Sequence, residues 1–88
     1  MTTKQQATID TVRLMREAID AGLSLFEVHT QYVLGRRDPL TKAWDCALVA
    51  ANATEHPLGF KHDEAHAFLN CVIRRLGGDY RRALLEAP

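Results

Sequence analysis

The sequence predicts an all-α fold: a compact bundle of four helices plus a short C-terminal helix, in one domain covering residues 1–88. Three observations carry that reading. Apolar residues recur at steps of three and four along most of the chain. Nowhere do they alternate with the period of two that marks a half-buried strand. Glycine or proline then interrupts the pattern at Gly22, Gly35, Pro39, Pro57, Gly59 and Gly77. Composition agrees: 47% of residues are hydrophobic and 25% charged, which excludes intrinsic disorder. Aromatics are sparse at 7%, which favours close-packed helices over sheets. A chain of 88 residues buries only roughly 60–65% of its unfolded surface, so the core is thin.

The first helix is expected over Lys4–Ala21, opened by a capping box between Thr3 and Gln6. Ile9, Val12, Met15, Ile19 and Leu23 share its apolar face. Arg13–Glu17 and Arg16–Asp20 are spaced for weak ion pairs on the other side. Gly22 supplies the left-handed position that ends a helix cheaply. Ser24 and Glu27 form a second capping box, opening a helix over Leu25–Leu34 with an inner stripe of Leu25, Val28 and Tyr32. Asp38 as N-cap and Pro39 at the first helical position open the third helix. That helix reads "LTKAWDCALVAANA" and is apolar around most of its circumference, which predicts a place in the middle of the bundle with Trp44 as anchor. "TEHPLGFK" is a loop. The fourth helix runs from His62 to Leu76 with Ala65, Phe68, Leu69, Val72, Ile73 and Leu76 on its apolar face. "GGD" breaks it, and "YRRALLEA" forms one or two turns held by Leu84 and Leu85.

Most chemistry is argued against. His62 and His66 stand four residues apart, a spacing that lets two imidazoles reach one ion. However, Asp63 stands where a zinc-protease motif needs glutamate, and Ala65 stands where the reversed motif needs it. Cys71 falls about 140° around the helix from His66, so only His56, in the loop, remains to help. Asp63 and Glu64 are explained by the helix dipole, which favours acids in a first turn. No metal and no cofactor is expected. His29 lies within an apolar stripe and reads as a core histidine, with no nucleophile paired to it. Cys46 and Cys71 stand off the main apolar stripes of their helices, which predicts burial against a second neighbour. No catalytic residue is assigned, and the chain is read as a non-enzyme. The polar start "MTTKQQAT" predicts no secretory leader, and no apolar run approaches the roughly 18 residues needed to span a bilayer. A cytoplasmic location with free thiols follows.

The arginines are more informative. Formal net charge is zero, but residues 1–70 carry 7 basic and 9 acidic side chains, and residues 71–88 carry 4 and 2. Arg74–Arg75 and Arg81–Arg82 therefore make a basic end, which Arg36–Arg37 would extend if the fold brings them together. Guanidinium forks bind carboxylates and phosphates bidentately. These six arginines are the predicted partner-binding residues. The expected partner is a protein with an acidic surface, or one whose nucleic-acid-binding groove the arginines block. Size and clustered charge fit a small inhibitor or adaptor of the sort phage and mobile elements encode. Near-zero net charge also leaves self-association open.

"EAIDAGLSLFEVHTQYVLGRRDP" resembles the helix-turn-helix of small phage and bacterial repressors, over about a quarter of the chain. Ala18 and Gly22 are four apart, Ser24 continues the turn, and Val28 follows six after the glycine. The resemblance implies a DNA-binding regulator as the alternative function. Glu27, Thr30 and Gln31 would face bases, and Arg36 and Arg37 would hold phosphate. The chain departs from the pattern at Gln31, where an apolar residue is wanted, with Tyr32 one place late.

Overall fold

The computed structural model describes residues 2–37, 39–51 and 62–86. The N-cap expected at Asp38 and the loop expected over 54–61 lie outside the described residues, as do the side chains of His62 and Asp63. The bundle is all-α, and no strand occurs among the described residues.

Helix α1 (Thr3–Asp20) starts one residue earlier than expected. The Thr2 hydroxyl accepts from the Gln5 amide at 3.1 Å, and the Gln5 side chain accepts from the Thr2 amide at 2.8 Å. Thr2/Gln5 and Thr3/Gln6 satisfy the same capping pattern. In the observed register Gln6 donates to Asp10 at 3.0 Å along the helix. At the other end the Gly22 amide donates to the Ile19 carbonyl and the Leu23 amide to that of Ala18, both at 3.0 Å. This is a Schellman ending, and Gly22 holds its left-handed position at φ +104°. Leu23, just beyond, packs on the core as such motifs favour.

Helix α2 (Leu25–Val28) opens at Ser24, whose hydroxyl accepts from the Glu27 amide at 3.2 Å. The return bond of the expected capping box is not made, and Glu27 stays exposed. The chain continues as a π-helical turn over His29–Val33, closed by the Leu34 amide donating to the His29 carbonyl at 2.8 Å, five residues back. Each residue of this wider turn advances less than the α-helical 100°. Val33 is thereby brought to the centre of the buried stripe with Leu25, Val28 and His29, while Tyr32 moves to its edge. The expected stripe ending on Tyr32 is corrected accordingly.

Helices α3 (Pro39–Ala50), α4 (His62–Leu76) and α5 (Gly78–Arg81) follow, the last continuing as a π-helical turn over Arg82–Glu86. The expectation for α3 is only half met. Leu40, Ala43, Trp44 and Ala47 are buried, yet Val49, on the opposite side, is 75% exposed. The central helix is α4, which packs against α1, α3, α5 and the C-terminal turn. Ala65, Phe68, Leu69, Val72 and Ile73 of its predicted face are buried, with Leu76 partly so. Trp44 fixes α3 to both neighbours: its ring lies 5.4 Å from that of His29 and 4.9 Å, edge-on, from that of Phe68. Leu84 is buried and Leu85 partly buried, as expected.

Two expected ion pairs are replaced. Arg13 lies 3.8 Å from Asp10 rather than pairing with Glu17. Arg16 donates to the Leu84 carbonyl at 3.4 Å, tying the C-terminal turn to α1, and Asp20 accepts from His66 of α4. Arg16 and Asp20 thus each meet a tertiary partner in place of one another, whereas Arg13 stays within α1.

Candidate functional site

The arginine pairs divide between different surfaces. Arg36 is partly buried: its guanidinium donates to the Thr11 hydroxyl at 3.1 Å, and its carbonyl accepts from the Thr41 hydroxyl at 2.9 Å. It therefore braces the α2–α3 connection against α1 and α3. Arg37 is exposed beside it. Both line an open cleft of about 540 Å³ with Lys4 and Thr8 of α1, Pro39 of α3 and Tyr80 of α5. Three cations thus share one depression, and among the described residues its lining contains no carboxylate. Tyr80 immediately precedes Arg81 and Arg82, both exposed. Arg82 lies 4.0 Å from Asp79, a surface contact worth little in water. The fold therefore brings Tyr80 of α5 to the Arg36–Arg37 corner, with Arg81 and Arg82 next in the chain but outside the cleft lining.

Arg74 and Arg75 occupy the last turn of α4, where cations complement the helix dipole. Both are exposed. Arg75 faces α3, lining a separate cleft of about 360 Å³ with Asp45, Cys46, Val49 and Ala50. A further cleft of about 420 Å³ adjoins it through Ala50 and is lined by Ala47, Glu64, Ala67, Phe68 and Cys71. Arg75 thus belongs to an α3–α4 surface that is otherwise mostly apolar.

The residues of the helix-turn-helix reading lie on the outside of α2 and of the π-helical turn that continues it. Glu27, Thr30 and Gln31 are all exposed. The Thr30 hydroxyl donates to the Phe26 carbonyl at 2.9 Å, which leaves its oxygen available as an acceptor. Gln31 lies inside the π-helical turn, so its direction differs from that of a regular recognition helix.

His66 Nε2 lies 2.8 Å from Asp20 Oδ1. An ionised carboxylate only accepts, so Nε2 carries the proton. His66 therefore links α4 to α1. Among the described residues no three His, Cys, Asp or Glu side chains converge as a metal site would require. His56 and the side chain of His62 lie outside the described residues. Cys46 and Cys71 are free thiols, each only partly buried.

Lys4 and Tyr80 were not singled out by sequence reasoning. Lys4 looks like a solvated charge in a first turn, and Tyr80 like a packing residue beside a doublet. Only the meeting of α1 and α5 at residue 36 gives them a shared surface. No helix among the described residues is long and apolar enough to cross a membrane. No protein-family model, curated protein or solved structure matches this chain.

Proposed function

We propose that this chain is a non-catalytic helical binding module, an inhibitor or adaptor that engages an acidic surface of a partner protein through its basic corner. The observation that carries the reading is the shared cleft: Lys4, Arg36, Arg37 and Tyr80 line it, and Arg81–Arg82 follow Tyr80 directly. Residues 44 positions apart in the chain thereby become neighbours. Arg37, Arg81 and Arg82 provide exposed guanidinium forks for carboxylates, Arg36 holds the corner rigid, and Arg74 adds a further cation at the end of α4. Rigid presentation matters, because ordering long side chains on binding costs roughly 0.5–1.5 kcal/mol each.

The test is a native-cell pull-down with mass spectrometry, followed by affinity measurement with the purified partner. Arg37, Arg74, Arg81 and Arg82 are exposed, so replacing all four by Glu should leave helicity intact and abolish binding. An affinity equal to that of the unmodified chain would reject the proposal. A second reading, a DNA-binding regulator, is supported by the exposure of Glu27, Thr30 and Gln31 on the helix after a tight turn. It expects duplex affinity that falls steeply with salt and weakens on Thr30→Ala and Gln31→Ala. The acidic-protein reading expects neither of those two substitutions to matter.

A further inference from the structure

Cys46 and Cys71 are the two cysteines of the chain, and the basic corner uses neither. Both are free thiols, each partly buried and partly open to solvent. They stand on different helices but on the same seam. The cleft that Cys46 lines takes Arg75 from α4, and the cleft at the end of α3, with Ala47, Ala50 and Ala51, takes Glu64 to Cys71. Later positions on α3 therefore lie beside earlier positions on α4, so the two helices run antiparallel.

That register brackets each thiol with neighbours of the other. Cys46 directly precedes Ala47, and Ala47 lines the cleft that contains Cys71. Cys71 stands one turn before Arg75, and Arg75 lines the cleft that contains Cys46. Ala50, one turn after Cys46, lines both clefts. The residues around the thiols are small: Ala43 and Ala47 are buried on either side of Cys46, and Ala67 lies one turn before Cys71. Helix axes packed roughly 8–10 Å apart, each with Cα atoms at a radius of about 2.3 Å, leave roughly 3.5–5.5 Å between directly facing Cα atoms. A disulfide spans about 4.4–6.8 Å between Cα atoms. Positions beside the seam stand somewhat farther apart than facing ones, so a bridge there draws α3 and α4 together.

We infer that Cys46 and Cys71 are a thiol-oxidation site, joined by a reversible intramolecular disulfide that staples α3 to α4. The co-reactant is a low-molecular-weight disulfide of the glutathione class. One cysteine thiolate attacks it, which forms a mixed disulfide and releases one glutathione thiolate. The other cysteine thiolate then attacks the protein sulfur of that mixed disulfide and releases the second. The two cysteine sulfurs lose two electrons together, the glutathione disulfide is reduced to two thiols, and the two cysteine protons end on those thiols. The bridge closes the segment from residue 46 to residue 71 into a ring, which restricts the unfolded chain more than the folded one.

The purified full chain, reduced and then incubated with oxidised glutathione, tests this by intact mass. The product should be a single chain lighter by two hydrogen atoms, with no thiol left to alkylate in denaturant and with the peptides holding residues 46 and 71 joined. It should melt at least about 5 °C above the reduced chain. Dithiothreitol should return both the mass and the melting temperature. Cys46→Ser and Cys71→Ser should each keep the helical circular dichroism, take up one glutathione and show no such rise. Glutathione adducts without an internal bridge would overturn the inference. So would unreacted thiols, a disulfide-linked dimer as the main product, or a bridged chain that melts no higher than the reduced one. None of these readouts involves the arginines, so this site and the proposed basic corner fail independently.

Discussion

Trp44 contributes to the core in two opposing ways. It is fully buried and packs edge-on to Phe68, which makes it the largest apolar contribution from α3. Its indole N–H, however, is buried with no hydrogen-bond acceptor, and an unsatisfied buried donor costs about 1–3 kcal/mol. Trp44→Ala removes the ring and should destabilise by about 3–5 kcal/mol. Trp44→Phe keeps most of the aromatic packing and discards the orphaned donor, so its cost should be less than half that of the alanine variant. Urea unfolding followed by circular dichroism measures both, since Trp44 is the sole tryptophan and either variant loses its fluorescence. His66 differs in that its polar atom is partnered. The bond to Asp20 is 2.8 Å, but Asp20 is 60% exposed, so solvent screens it. A double-mutant cycle of His66→Ala and Asp20→Ala should return a coupling of roughly 0.2–1 kcal/mol, falling with added salt.

At the scale of elements, the helix ends are set by backbone conformation. "GG" at 77–78 shows this within two residues. Gly77 sits at φ +90°, whereas Gly78 begins α5 without a positive φ, and a Cβ at either meets nothing within 4 Å. Crowding by the rest of the fold therefore plays no part, and local backbone conformation decides alone. Gly77→Ala should cost about 1–3 kcal/mol, because φ +90° with ψ −174° is a region that glycine alone occupies readily. Gly78→Ala should be neutral or stabilising by up to about 1 kcal/mol. Ser24→Ala should cost about 1 kcal/mol, because it orphans the Glu27 amide at the start of α2. Paired thermal melts of these variants check the order. Helix α2 also shows where element-level reading stops. Its start is written in Ser24, but its π-helical ending, with Val33 buried and Tyr32 half-buried, is seen only in the folded structure.

For the whole molecule, two faces stand out among the described residues. The corner of Lys4, Arg36, Arg37 and Tyr80 is polar and braced by Arg36, and the α3–α4 face is lined by alanines, Val49, Phe68 and both cysteines with Glu64, Asp45 and Arg75 among them. If the corner engages an acidic surface, partner affinity should fall as salt is added and should be lost when Arg37, Arg81 and Arg82 are replaced by Glu. A binding titration across a range of salt concentrations reads this directly.

The order of elements, the buried faces of α1 and α4, and the breaks at Gly22, Gly35 and Gly77 were legible in the sequence. Periodicity and backbone preference are local properties, and a linear chain states them locally. The basic C-terminal end was legible as well, as a count of charges. The division of the arginines was not, because a doublet on a helix sends its two side chains about 100° apart and sequence does not say what each meets. Arg36 became a brace, and Arg75 turned toward α3 and away from the corner that Tyr80 joins to Arg37. Sequence also placed α3 in the middle of the bundle, since its apolar circumference demands cover. The tertiary structure gave that place to α4 and left Val49 in the open. Lys42, Asp45 and Val49 share one side of α3, and the two charged side chains keep that side toward water.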